Sequence, residues 1–199
     1  IIQIFSFFCF LAMCYYAYQL PLKTLLFCIP LEILTLLYAI PFLSGFHKNL
    51  RQISYLKIIV VAFVWVGFTV LIPVLDSEKG MSLNIFLLLL QRFLIIIVLV
   101  LPFDIRDVKY DVISLQTIPK KIGVEKTKKL GLMLLVFALV LEYFITSSTL
   151  VKTSFMIFFF LTIIFLMCAK IKQTKYYSAF WVEALPVFWC MILFYIHSF

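Results

Sequence analysis

Three of the nine acidic residues in this 199-residue chain fall within eight positions of the stretch Leu101-Pro102-Phe103-Asp104-Ile105-Arg106-Asp107-Val108-Lys109-Tyr110-Asp111. If the stretch is helical, Asp104, Asp107 and Asp111 follow i, i+3, i+7 spacing and share roughly a 60° arc of one face. Like charges at these separations repel, so the face calls for a counter-charge. Arg106 and Lys109 lie two residues from acidic neighbours and are expected to point away from it. Hard carboxylate oxygens with no His or Cys nearby suit Mg2+ or Mn2+. Mg2+ in particular is held by one or two carboxylates together with waters and substrate phosphates. Asp104, Asp107 and Asp111 are therefore candidate metal residues. The competing expectation is an acidic helix end paired with Lys or Arg from another loop.

Basic groups come before and after this motif. His47, Lys48 and Arg51 form one cationic loop, and Lys120 with Lys121 forms another, so the two could converge on an anion. The same residues would serve equally as plain topology determinants. Arg92 sits inside an apolar run, and Glu32, Glu142 and Glu183 sit in other such runs. Ionisable groups at such positions pair with one another or line a cavity; a structural Arg92–Glu pair is the first expectation and contact with substrate the second. The 23 Phe could line an apolar tunnel or simply pack helices. Cys9, Cys14, Cys28, Cys168 and Cys190 all fall in apolar stretches without C-x-x-C or His at ligand spacing, and read as packing residues.

The elements that must position these groups follow from composition. The chain is 65% hydrophobic and only 13% charged, about half the charge a soluble domain of this size carries, which rules out a water-soluble monomer. Seven candidate spans emerge from hydropathy and Pro, Gly and charge punctuation: Ile4 to Tyr18, Thr24 to Leu43, Tyr55 to Leu75, Ser82 to Phe103, Lys129 to Thr146, Thr153 to Ala169 and Ser178 to His197. No ten-residue alternation of a β-barrel is visible. The expected class is an all-α, multi-pass transmembrane bundle forming a single integral membrane domain over residues 1–199. The chain begins apolar at once, without a basic region or small-residue cleavage site, so a signal peptide is not expected.

Charge placement tests this division. Of the 17 basic residues, 13 fall in the second, fourth and sixth connections, 3 in the others, and Arg92 within a span. That asymmetry matches the positive-inside rule and predicts that the basic loops and the aspartate motif are cytoplasmic. The net charge of +8 is thus read as topology and not as a nucleic-acid surface, because the basic residues are interleaved with hydrophobic runs.

The motif Phe103-Asp104-Ile105-Arg106-Asp107-Val108-Lys109-Tyr110-Asp111, followed by Thr117-Ile118-Pro119 and Gly123, resembles the second aspartate-rich motif of the UbiA superfamily of intramembrane prenyltransferases. Leu37-Tyr38-Ala39-Ile40-Pro41 is similar to the family's Y-S-x-P segment, and Tyr55 to Pro73, with Trp65, to the helix that follows. Tyr110 and Leu115 stand where the family usually has Gly. The resemblance implies a UbiA-like fold in which the seven spans correspond to helices three to nine of nine. The two N-terminal helices and the first motif, N-D-x-x-D-x-x-x-D, then either lie outside this sequence or are missing from a divergent member.

The resemblance further implies an Mg2+-dependent enzyme. It would transfer a polyprenyl group from an isoprenyl diphosphate to a lipophilic acceptor of aromatic or quinone type within the membrane. Asp104, Asp107 and Asp111 would hold the metal, Lys48, Arg51 and Lys120 would contact the diphosphate, and Tyr38 and Arg92 would face the cavity. The alternative is a noncatalytic membrane scaffold or lipid-binding protein that has lost the first motif.

Overall fold

In a bilayer every backbone polar group must be satisfied within the protein, and a long apolar run without strand alternation does so as a helix. The computed structural model describes residues 2–40, 56–77, 80–109, 117–174 and 176–197, and among these there are helices and no strands. They are α1 (Ile2–Gln19), α2 (Leu22–Ala39), α3 (Leu56–Val66), α4 (Ile72–Asp76), α5 (Leu83–Asp107), α6 (Ile118–Ile122), α7 (Val124–Ile145), α8 (Thr149–Cys168) and α9 (Glu183–His197). A π-helical turn, Gly67–Leu71, joins α3 to α4 as one rod, and a second, Tyr177–Val182, leads into α9.

Five helical stretches are long and apolar enough to cross a membrane: Leu22–Ala39, Leu56–Asp76, Leu83–Asp107, Thr149–Cys168 and Tyr177–Ile196. The other two expected spans are helical too, as α1 and α7. Helix α7 falls short of the apolar composition because Glu125, Lys126, Lys128 and Lys129 crowd its first turns and Glu142 its last.

Prolines set much of the local geometry. Pro21 precedes α2, where its fixed φ starts a helix. Pro73 has no N–H to offer the carbonyl of Thr69, which lies in the first π turn, and Pro186 stands in the same relation to Val182 at the end of the second. Both π turns thus sit where a proline removes an i→i−4 bond, and the wider turn accommodates the ring. Pro30 and Pro102 lie inside α2 and α5 without such a turn.

Helix α5 is the axis of the bundle. It packs on α3, α6, α7, α8 and both π turns. Its start is marked by Ser82, whose side chain accepts from the Ile85 N–H. Val98, Leu101 and Ile105 on α5, Leu135 and Ala138 on α7, and Phe155, Phe158 and Leu166 on α8 are almost fully buried. Gly131 lets α7 nest between α5 and α8: a Cβ there would lie 2.7 Å from Leu166 Cδ2 and 2.8 Å from Leu101 Cδ1. Gly123, at the joint of α6 and α7, has φ +85°, a conformation L side chains rarely adopt. By contrast, α1 is peripheral, with nearly every described side chain exposed.

Candidate functional site

The C-terminal end of α5 carries the aspartate motif, and the π turn before α9 and the start of α3 close around it. Asp104 points into the bundle and is 1% exposed. Its Oδ1 accepts from Lys57 Nζ at 2.8 Å, from the first turn of α3. Asp107, one turn further on and 27% exposed, accepts from Arg106 Nε at 2.8 Å. Arg106 also donates through Nη1 to Ser178 Oγ, at 3.0 Å, and its guanidinium lies 5.5 Å from the Phe103 ring centre. Tyr38, half-buried at the end of α2, and Asp107 are within electrostatic range of the Lys57 ammonium.

The expectation that Arg106 would turn away from the acidic face is corrected here. Helical spacing governs where Cβ points, but a guanidinium on a three-carbon stem can fold back onto the next residue at a helix end. The counter-charge that the carboxylates require is supplied by Lys57 and Arg106. Helix α5 stops at Asp107, so the one-face argument extends over Asp104 and Asp107, and Asp111 lies outside the described residues.

Of the expected diphosphate contacts, Lys48 and Arg51 also lie outside the described residues, as does Lys109's neighbour Tyr110. Lys120 is exposed on α6, a short helix that packs on α7 and α5. Among the described residues no three His, Cys, Asp or Glu side chains form a metal-holding group.

Three participants escaped the sequence reading: Lys57, Ser178 and Gln173, whose Nε2 donates to the Pro102 carbonyl at 3.0 Å. Lys57 is 47 residues from Asp104, and Ser178 is 72 from Arg106. The one available signal for Lys57 was a charge set against the first apolar residues of a span.

A second polar group lies deeper, about eighteen ångströms up α5 from Asp104 by helix rise. Gln91, fully buried, donates from Nε2 to Glu142 Oε2 at 2.7 Å and to the Ala138 carbonyl at 3.1 Å. Arg92 lies over the Trp189 ring, 4.1 Å from its centre, with Glu142 in electrostatic range but beyond ion-pair distance. Trp189 also stacks on Phe158, with centroids 4.7 Å apart, and donates from Nε1 to Ser154 Oγ at 3.3 Å. The expected Arg92–Glu pairing is thus a looser arrangement, with Trp189 as the direct contact of the guanidinium and Gln91 as that of the carboxylate. Arg92 Nη1 is buried without a hydrogen bond, which the ring contact offsets in part.

Comparison with known protein families, curated proteins and solved structures finds no match for this chain.

Proposed function

We propose that the chain is an intramembrane prenyltransferase of UbiA type, moving a polyprenyl group from an isoprenyl diphosphate to a lipophilic acceptor of aromatic or quinone class. In this reading all seven long helical stretches cross the bilayer, and the basic loops and aspartate motif face the cytoplasm. The observation that carries it is the placement of Asp104 and Asp107 one turn apart at a helix end, with Lys57 bonded to the first and Arg106 to the second. A phosphorylated ligand has both its metal donors and its cations there.

The donor set fits Mg2+: all-oxygen carboxylates one turn apart, with Asp107 open to solvent and no nitrogen or sulfur donor among them. Asp107, with Asp104 and Asp111, would hold the ion, which supplies stabilisation of the charge on the departing diphosphate. Arg106, bonded to Ser178 and a quarter exposed at the end of α5, would pass its guanidinium from Asp107 to a phosphate oxygen. Lys57 donates to Asp104 Oδ1 and orients that carboxylate. Lys48, Arg51 and Lys120 would add cationic contacts to the diphosphate.

One observation favours a second reading, a noncatalytic scaffold or lipid-binding protein: each described carboxylate of the motif is already bonded to a cation of the same chain. A single assay separates the two. Pyrophosphate release from isoprenyl diphosphates should require Mg2+ and fall to background in Asp107→Ala and Asp111→Ala. Release that is unchanged in both variants would remove the proposed site. Absence of release across donor lengths and acceptors supports the scaffold.

A further inference from the structure

Glu32 is the eleventh of the 18 residues of α2, about 10 Å from the nearer helix end by helix rise. It is exposed on the outside of the bundle. Helix α2 turns Thr24 and Leu31 inward, with Leu31 seated against Gly67, and Glu32 stands about 100° around the helix from Leu31. Ile29, Ile33 and Leu36 beside it are 45%, 51% and 56% exposed. Lipid satisfies those three; it does not satisfy a carboxyl group.

No described residue forms an ion pair or a hydrogen bond with Glu32; its electrostatic neighbour is the Cys28 thiol, one turn earlier on α2, which carries no counter-charge. The described ion pairs are Lys57–Asp104, Arg106–Asp107 and Lys128–Glu125, and Glu32 takes part in none of them. Thr35, on the same stripe, spends its hydroxyl on the Leu31 carbonyl. The stem of a glutamate is too short to carry its charge from this depth to the headgroups, unlike Lys or Arg.

We propose that this face of α2 docks a transmembrane helix of a partner polypeptide that carries Lys or Arg at mid-depth, paired with Glu32. Intramembrane carboxylates are stabilised by such pairing, and helix association in lipid is driven by polar contacts and close packing and not by apolar burial. A second copy of the chain is a poor occupant. Among the described residues its mid-span cation is Arg92, stacked inside on Trp189, so two copies would set Glu32 against Glu32 or against apolar surface.

The test reconstitutes the full chain in phosphatidylcholine vesicles. Its energy transfer to leucine-rich transmembrane peptides bearing one central Lys, Leu or Glu is then measured. The Lys peptide should associate about fivefold more tightly than the Leu peptide. Glu32→Leu should abolish that preference, Glu32→Gln should weaken it, and Glu32→Lys should transfer it to the Glu peptide. Equal affinity of the unaltered chain for the Lys and Leu peptides overturns the proposal without recourse to any variant. A preference that survives Glu32→Leu overturns it as well. Self-association that depends on Glu32 also overturns it, in favour of a second copy.

Discussion

The two polar centres on α5 solve the same electrostatic problem in opposite ways. At the helix end, each described carboxylate has its own cation in direct contact: Lys57 for Asp104 and Arg106 for Asp107. At mid-depth the charges stay apart, with Arg92 stacked on Trp189 and Glu142 bonded to Gln91. Around Asp107 and Arg106 both partners keep about a quarter of their surface exposed, so water, a metal or an anion can take over either contact. Around Gln91 and Glu142 there is nothing to exchange with, and the cluster fixes how α5, α7 and α9 face one another. Accessibility, more than charge, separates a place where chemistry can occur from one that holds helices in register.

That distinction can be broken by substitution. The largest effect is expected for Glu142→Leu, which takes the nearby counter-charge from buried Arg92 and the shorter of its two hydrogen bonds from Gln91 Nε2. Removing one member of a buried ionic group costs about 3–5 kcal/mol. Equilibrium unfolding in mixed micelles should register a loss of that size; a loss below about 1 kcal/mol would mean that the deep cluster is not a structural unit.

A smaller loss, about 2–3 kcal/mol, is expected for Lys57→Met, because Asp104 is almost wholly buried but Lys57 reaches the rim. The double variant Lys57→Met with Asp104→Leu should recover most of it. Failure to recover would assign the cost to packing of the lysine stem instead of to the pair. The smallest effect belongs to Asp107→Asn, about 1 kcal/mol, since the pair is only part-buried and the amide oxygen can still accept from Arg106. A larger loss there would erase the contrast between the two centres.

Sequence spacing made the positions of Asp104 and Asp107 legible because both belong to one helix, where azimuth follows from residue number. It also marked Arg92, Glu142 and Glu32 as ionisable groups within apolar runs. It did not reveal that Lys57 answers Asp104, or that Gln91 stands beside Glu142. Those contacts depend on how two helices are rotated against each other, which is set by packing such as Gly131 against Leu101 and Leu166. The helix boundaries shifted for local reasons: α5 runs four residues beyond the expected end at Phe103, carrying the motif's first two aspartates on rigid helix.

The π turn at Gly67–Leu71 has a geometric effect on the rod from Leu56 to Asp76. Lys57 and Asp76 are 19 residues apart, and a uniform α-helix would leave them about 100° out of phase. A wide turn that takes up one extra residue leaves an effective separation of five whole turns, bringing both side chains onto one edge of the rod. From that edge Lys57 reaches Asp104 at one end, while Asp76 accepts from the hydroxyl of buried Thr24 at the other. The break in regularity thus acts as a phase correction that lets a single rod engage α5 at one of its ends and α2 at the other.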